Sequence, residues 1–114
     1  MLRKSSLKGR GKAASAAQKR HMDRVASEGC LACGADAEIH HVRGYADRPG
    51  SIPKSHDLVV PLCPAHHRYI SPDGVRISVH DLGHRGFYDE HGIDLYAEAL
   101  RFKAESEDAE RRAA

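Results

Sequence analysis

Hydrophobic positions near the start of the chain recur with the spacing of an α-helix. Met22, Val25 and Ala26 form a short apolar stripe in an alanine-rich segment, which predicts a helix over residues 15–28. Gly29 follows the stripe, and glycine is typical of the position just after a helix. The stripe is narrow, so we expect this helix to bury only one face.

A second helix is predicted near the end of the chain. Leu95, Ala99 and Phe102 lie at positions i, i+4 and i+7, and Asp94 precedes them as a candidate N-cap. The residues after Glu105 are mostly charged, so we expect that tail to fray. Two amphipathic helices therefore bracket the central part of the chain.

The central segment carries short apolar runs of strand length. Residues 38–42 and 58–62 each predict a β-strand, separated by a loop rich in turn-forming residues. Pro64 suits the first turn of a helix, which the pattern extends to about Ile70. Residues 75–79 alternate weakly and predict a further strand or extended segment. Together these elements predict a small α+β fold.

Composition indicates a small hydrophobic core that needs a bound metal ion or disulfide bonds for stability. The chain has 114 residues, of which 40% are hydrophobic, 5% are aromatic and none is Trp. A single small domain of this kind commonly needs a metal ion or disulfide bonds. Its three cysteines leave one unpaired in any intrachain disulfide scheme, so we expect a bound metal and a reducing, cytoplasmic setting. We expect neither a signal peptide nor a membrane span, because no apolar run has the required length.

Positive charge is concentrated at the N-terminus. Residues 1–24 hold eight Lys or Arg against one Asp, a net charge of +7, and the remainder holds ten basic and fifteen acidic residues, a net charge of −5. We expect residues 1–14 to be a disordered basic arm that binds phosphates or, alternatively, only a solubilising tail. The candidate nucleic-acid contacts in this arm are Arg3, Lys4, Lys8, Arg10 and Lys12.

Three cysteines and one histidine have the spacing of a zinc site. Cys30 and Cys33 form one C-x2-C pair, and Cys63 and His66 form a C-x2-H pair further along. Zn²⁺ favours four such ligands in a tetrahedron, and a two-residue spacer lets one turn present two of them. The pattern predicts a structural Zn²⁺ site; the alternative is that the cysteines are only small buried side chains.

Two histidine pairs suggest a second, catalytic centre. His40 and His41 lie in the first predicted strand, and His67 follows the zinc ligand His66 on the short helix. If these imidazoles share a cleft, one can hold a cation while another takes a proton from water. Hydrolysis of a phosphodiester needs both functions.

These motifs together resemble a known family of nucleases. The order Cys-x2-Cys, Ile-His-His-Val, His-Asp-Leu-Val-Val-Pro-Leu and Cys-x2-His-His is similar to HNH endonucleases, also named His-Me finger or ββα-metal nucleases. The Pro-Leu-Cys-x2-His-His ending, with Gly83-x3-Phe87 and Gly92-Ile93-Asp94, resembles phage proteins of the recombination-enhancement (Ref-like) type. The resemblance implies a zinc-stapled ββα-metal core with flanking helices.

The resemblance also implies roles for individual residues. His41 corresponds to the general base, and His40 and His67 correspond to ligands of a catalytic Mg²⁺ or similar divalent cation. The family's central Asn, which orients the base, falls at Asp57 or His56. The place of a third metal ligand is occupied by Ser71, and we expect His80 to return to the site instead. The implied partners are DNA and RecA recombinase filaments.

The remaining candidates have weaker signals. Arg43, Arg48 and Lys54 fall in the loop between the strands, where they either contact phosphates or belong to a solvated loop. Tyr45 either stacks on a base or covers that loop. We expect the other histidines to be solvated, surface or capping residues: His21, His84 and His91.

The leading interpretation is a metal-dependent DNA endonuclease, with its nuclease domain over residues 15–104 and a charged tail over 105–114. The competing interpretation is a non-catalytic zinc-binding module that binds nucleic acid or protein. Such a module needs the four zinc ligands but has no use for His40 and His41 opposite His67. The form of the DNA substrate, nicking or double-strand cutting, and the oligomeric state are left open by the sequence.

Overall fold

A computed structural model describes residues 13–46 and 52–114. The elements in these ranges are helix α1 (Ala16–Ser27), strands β1 (Glu38–His41) and β2 (Val59–Leu62), and helices α2 (Pro64–Arg68), α3 (Val79–His91) and α4 (Leu95–Ala113). The prediction of a small α+β fold is therefore confirmed. None of the helices in the described ranges combines the length and apolarity that crossing a membrane requires.

Helix α1 forms where the apolar stripe predicted it, and its start is fixed by a reciprocal cap. The Ser15 hydroxyl accepts from the backbone N–H of Gln18, and the Gln18 side chain accepts from the backbone N–H of Ser15. Val25 is buried against the core. Gly29 follows the helix with φ +84°, a left-handed conformation that favours glycine.

The two strands form an antiparallel pair, with Ile39 opposite Pro61 and His40 opposite Val60. Pro61 has no N–H to donate, but its carbonyl accepts from the backbone N–H of Leu31 at 3.1 Å. This bond ties the turn that carries the first two cysteines to the sheet.

The core lies on β2, which is buried at all four positions. Helices α1 and α4 both pack on this strand. The buried hydrophobic cluster draws on nearly every element: Val25, Cys30, Val42, Val59, Val60, Leu62, Cys63, Val79, Phe87, Leu95, Ala99 and Phe102. The strands that carry the candidate site are thus held by the most deeply buried side chains of the molecule.

Helix α2 is shorter than predicted. Cys63 is its N-cap and Pro64 occupies the first turn, as the sequence indicated. The helix ends at Arg68, because Tyr69 has the extended backbone angles φ −69° and ψ 127°. It is long enough to carry two histidines, His66 and His67.

The prediction of a strand or extended segment over residues 75–79 is wrong at its last residue, Val79, because helix α3 begins there. The Ser78 hydroxyl accepts from the backbone N–H of Asp81 and caps α3, so the chain turns helical at Val79. This helix was not predicted because Gly83, with φ 75° and ψ 173°, interrupts it and breaks its apolar pattern. Phe87 anchors the second half and is fully buried.

The expectation that the tail after Glu105 frays is wrong, because α4 continues to Ala113. Ion pairs one turn apart support it, including Lys103 with Glu107 at 2.6 Å. Glu110 accepts from Arg20 and Arg24 of α1 at 2.9 and 2.6 Å. The charged tail is therefore docked on α1. The predicted division into arm, domain and tail stays a prediction, and residues 1–12 of the arm lie outside the described residues.

Candidate metal centres and active site

The four predicted zinc ligands converge on one point. Their donor atoms all lie within 4.8 Å of one another. The Cys33 and Cys63 sulfurs are 3.7 Å apart, and His66 Nδ1 lies 3.3 Å from Cys63 Sγ and 3.8 Å from Cys30 Sγ. Two sulfurs bound tetrahedrally to one Zn²⁺ at ~2.3 Å lie about 3.8 Å apart. The four donors thus have the separations of a tetrahedral zinc site.

A tight turn presents the first two cysteines. The Gly34 N–H donates to the Cys30 carbonyl, and the Cys30 N–H donates to the Ala35 carbonyl, both at 2.8 Å. A Cβ added at Gly29 would lie 3.1 Å from the Gly34 carbonyl oxygen. The close return of the chain therefore requires glycine at position 29.

Backbone amides donate to two of the sulfur atoms and favour the thiolate form of Cys30, whereas the pKa of Cys33 is raised by its burial and its neighbouring thiols. The N–H groups of Ala32 and His66 donate to Cys30 Sγ and Cys63 Sγ, each at 3.4 Å. Burial raises the pKa of Cys30, but hydrogen bonds from backbone amides outweigh it and leave this pKa below its ordinary value. Since zinc binds the thiolate form, this environment suits a metal ligand.

A second group of donors contains three histidines from three different elements. His40 of β1, His67 of α2 and His80 of α3 have ring nitrogens within 4.8 Å of one another. Ring centroids are 4.9 Å apart for His40 and His67, and 4.8 Å apart for His67 and His80. We refer to His40, His67 and His80 as the histidine cluster. Its members run from buried His40 to exposed His80, so it opens to solvent.

Glu38 fixes the orientation of His67. Its carboxylate accepts from His67 Nδ1 at 2.7 Å and from Arg68 at 2.7 and 3.2 Å. The hydrogen bond from Arg68, with a smaller contribution from His67, lowers the pKa of Glu38 to about 2, so this group only accepts. The proton of neutral His67 therefore lies on Nδ1, and Nε2 keeps its lone pair for a cation.

The histidine cluster favours neutral imidazoles. Burial is the main reason that the pKa of His40 falls to about 3, and the neighbouring histidines lower it further. Burial also lowers the pKa of His67, although Glu38 opposes the shift. Neutral nitrogen donors are the form that binds metal ions.

His41 contacts His56 and not Asp57. The distance from His41 Nε2 to His56 Nδ1 is 3.0 Å, and both side chains are half-buried. Asp57 instead accepts from Gln18 at 3.4 Å through its carboxylate. If His41 donates from Nε2, its Nδ1 keeps a lone pair for a proton. Burial, followed by the charge of Lys54, lowers the pKa of His41.

Two histidines that we expected at the surface lie beside these centres. His84 is half-buried, with its Nε2 3.1 Å from His40 Nε2. His91 donates from Nε2 to the Ile77 carbonyl at 2.9 Å, and its ring lies 5.2 Å from that of His66. The surface prediction is wrong for both, because helix α3 turns them towards β1 and α2.

His21 is also misplaced by the sequence analysis. It is 5% exposed, and its Nδ1 lies 2.6 Å from the Ser106 hydroxyl. Its Nε2 donates to the Asp57 carbonyl at 2.9 Å. The prediction of a solvated side chain is wrong because α4 packs over this part of α1. His21 thereby holds the backbone of Asp57, the residue after His56.

The structure also places Ser71, Arg43 and Tyr45, which the sequence analysis considered for the site. The Ser71 hydroxyl donates to Asp73, and His80 takes the place in the histidine cluster that Ser71 would have filled. Arg43 is exposed and donates to the Ile52 carbonyl at 3.4 Å. Tyr45 packs on Tyr96 with ring centroids 4.3 Å apart. Arg48 and the five basic residues of the arm lie outside the described residues.

The sequence analysis did not single out Glu38, and it assigned His84 to the surface. A signal for Glu38 was present, since it is two positions before His40 and alternate residues of a strand share a face. His84 follows His80 by four positions, but Gly83 interrupts the helix between them, so helical spacing does not predict that both rings approach His40. No local signal therefore indicated His84.

Comparison with known families decides the affiliation of the chain. A family model described as "Recombination enhancement, RecA-dependent nuclease" matches residues 14–99, about three quarters of the chain. The chain belongs to this family. The predicted resemblance to Ref-like nucleases is thereby confirmed. Membership indicates a nuclease role, with DNA as substrate and a relationship to RecA. No curated protein and no solved structure matches the chain.

Proposed function

We propose that this RecA-dependent nuclease is an HNH-type endonuclease that hydrolyses DNA phosphodiester bonds with one divalent cation and a histidine base. The observation that carries the proposal is the histidine cluster, whose donor atoms lie within 4.8 Å of one another. His41 follows His40 in β1 and lies close enough to His67 for the charge of that ring to affect its pKa. His40 and His67 occur in the order of the HNH pattern described above, whereas His80 lies outside that pattern. The orientation of His67 by Glu38 supports a cation site, because ligating histidines commonly donate their other N–H to a carboxylate.

Each residue has a defined part in the proposed reaction. His40, His67 and His80 would hold the divalent cation, which when bound would supply positive charge against the phosphate and the leaving oxygen. His41 accepts a proton at Nδ1 from a water molecule, whose oxygen attacks phosphorus. The bond from phosphorus to the 3′ oxygen breaks, and solvent protonates that oxygen. His56 holds Nε2 of His41 throughout, in the position that the HNH family gives to Asn.

The ligand atoms of the histidine cluster favour some cations over others. The three donors of the histidine cluster are imidazole nitrogens, which suit Mn²⁺, Co²⁺, Ni²⁺ or Zn²⁺, whereas Mg²⁺ prefers oxygen ligands. We therefore propose a transition metal ion as the better fit, and Mg²⁺ as the weaker alternative.

The cysteine-rich centre has a structural role in this proposal. Three cysteines and one histidine fill all four positions of a tetrahedral site and leave no open position for substrate. We propose that Cys30, Cys33, Cys63 and His66 bind Zn²⁺, which joins the turn after α1 to the start of α2.

We propose that the basic arm binds DNA phosphates or the RecA filament on DNA. The five basic residues and the lack of any acidic residue in positions 1–14, together with the RecA-dependence named in the family description, support this. Lys54 lies close enough to His41 to affect its pKa, and we propose that it contacts the substrate near the cut.

Replacement of His41 by Ala tests the proposal. Purified protein is incubated with naked DNA and with RecA-coated DNA, in the presence of Mn²⁺ or Mg²⁺. We expect His41→Ala to lose cleavage by a factor of at least ~10², the usual contribution of a general base. Zinc content and the circular dichroism spectrum should match those of the wild type.

The alternative of a non-catalytic zinc-binding module predicts a different outcome. Such a module explains the cysteine-rich centre but leaves the histidine cluster and the bond from His67 to Glu38 without a purpose. Wild-type protein that cleaves neither naked nor RecA-coated DNA with any of these cations would favour the module. Cleavage that survives His41→Ala would contradict the role of His41.

A further inference from the structure

A cleft of about 270 Å³ lies between the loop after β1 and the kink of α3. Arg43 and Tyr45 line it from the loop, and Gly83, His84 and Arg85 line it from the helix. It is separate from the histidine cluster and from the cysteine-rich centre, and the proposed reaction does not use it.

The charges of the cleft favour an anion. Its lining in the described residues holds two arginines and no carboxylate. Arg85 lies 3.5 Å from Asp89, but both side chains are more than 60% exposed, and exposed ion pairs of this kind are weak. Within residues 13–46 and 52–114, the Arg43 side chain makes one long hydrogen bond, to the Ile52 carbonyl at 3.4 Å. Both guanidinium groups therefore retain donors for a phosphate, which they bind through paired N–H groups.

His84, which lines the cleft, contacts His40 of the histidine cluster. The Nε2 atom of His84 lies 3.1 Å from Nε2 of His40, and the ring centroids are 5.3 Å apart. The cleft and the histidine cluster are therefore neighbours, and a DNA strand that crosses the cluster passes beside the cleft.

The backbone of α3 is shaped to leave this space open. Gly83 has φ 75° and ψ 173°, and an added Cβ would meet no atom within 4 Å. Position 83 therefore requires glycine because of these backbone angles, although an added methyl group would have enough space there. Because this wall has no side chain at position 83, a sugar-phosphate chain can approach the backbone closely.

We propose that this cleft binds the phosphodiester adjacent to the scissile one, with Arg43 and Arg85 donating to its non-bridging oxygens. The proposal rests on the nuclease function proposed above and adds a substrate subsite to it. Tyr45, held against Tyr96, closes one side of the subsite. Contacts to phosphate position the strand without reading its sequence, so the subsite sets the register of the cut.

Binding experiments test the subsite independently of cleavage. In a His41→Ala background, Arg43→Ala and Arg85→Ala are each added, and affinity for labelled single-stranded and duplex oligonucleotides is measured across a KCl series. Each change should weaken binding several-fold and reduce the slope of log K against log salt by about 1. Arg111→Ala is the matched control, since Arg111 is exposed on α4 and lines a different cavity. Equal slopes for the cleft and control variants would overturn the proposal.

Cleavage of modified DNA locates the contact. Oligonucleotides carry a single neutral methylphosphonate at successive positions from the cut. At one position next to the cut, the modification should slow the wild type but leave the Arg43→Ala/Arg85→Ala variant unaffected, because the contact is already missing. The absence of any such position overturns the subsite. If the wild type cleaves nothing, the nuclease proposal fails, and the binding series still decides whether the cleft holds phosphate.

Discussion

At the scale of single residues, hydrogen bonds decide which nitrogen of each imidazole is available for chemistry. Glu38 keeps a proton on Nδ1 of His67. His56 contacts Nε2 of His41, and the tautomer in which His41 donates there leaves Nδ1 of His41 for a water molecule. Such partners set both the tautomer and the orientation of a ring. The residues around a candidate ligand therefore carry as much of the function as the ligand.

Glu38→Gln tests the orientation of His67. The amide keeps the size of the side chain but loses the charge that binds Arg68 and His67. Changes of this kind cost about 10–100-fold in metal affinity. We expect Mn²⁺ affinity, measured by titration calorimetry on protein that retains its zinc, to fall by that factor. Glu98→Gln on α4 is the control, and an equal loss in both variants would contradict the orienting role.

The pH dependence of cleavage tests His41 as the base. Burial, and then the positive charge of Lys54, lower its pKa from the ordinary value of 6.5. A lowered pKa keeps the imidazole neutral in more acidic solution, so activity should persist below pH ~6.5 and fall only at lower pH.

Lys54→Gln provides the matched change for this profile. Removal of the positive charge lets the pKa of His41 rise, so the acidic limb of the kcat profile should move to higher pH. A limb that starts at or above pH ~6.5 in the wild type would contradict the argument. An acidic limb whose pH does not change in Lys54→Gln would also contradict the argument.

At the scale of elements, the interrupted helix α3 brings its histidines to the sheet. Its first turn carries His80, its second part carries His84 and His91, and Gly83 lies between them with a backbone conformation almost restricted to glycine. The same helix is anchored by Phe87 in the core. The kinked helix therefore links the core to both candidate metal centres.

Gly83→Ala tests this kink. The added methyl group has space but requires an unfavourable backbone conformation, which costs about 1–3 kcal/mol. We expect urea unfolding to show this loss of stability. Glu90→Ala, an exposed change in the same helix, should alter stability by less than ~0.5 kcal/mol. If Gly83→Ala is as stable as the wild type, the kink is not a required feature of α3.

At the scale of the whole molecule, the proposed zinc joins segments that are distant in the sequence. Cys30 and Cys33 follow α1, whereas Cys63 and His66 lie where β2 meets α2. The core between them is small, so much of the stability should come from the metal.

Removal of zinc tests this role. With free zinc at about a thousand times its Kd, bound zinc adds about 4 kcal/mol to folding. A chelator should therefore lower Tm by roughly 15 °C or more in a domain of this size. Cys63→Ser should have the low Tm with or without zinc, whereas His80→Ala should respond to the chelator as the wild type does. A Tm that neither chelation nor Cys63→Ser changes would contradict a structural zinc.

Much of the fold was predictable because its signals are local. The Ser15 cap, the apolar stripe of α1 and the Pro64 start of α2 each depend on neighbours within one turn. The end of α4 was not predictable from its charged composition, since Glu110 is held by Arg20 and Arg24 from the other end of the chain. Burial of His21 has the same origin, because Ser106 reaches it only after α1 and α4 have packed.

Local spacing along the chain identified the residues of each half-site, because a two-residue spacer or a pair of adjacent histidines fixes donors within one turn or strand. Tertiary structure decided how these pieces combine. It selected His56 over Asp57 as the contact of His41, brought His80 to the histidine cluster, and brought Arg43 and Arg85 to one cleft. Those choices depend on how α3 and the loop after β1 pack against the sheet, and packing between distant segments leaves no periodic signal in the chain.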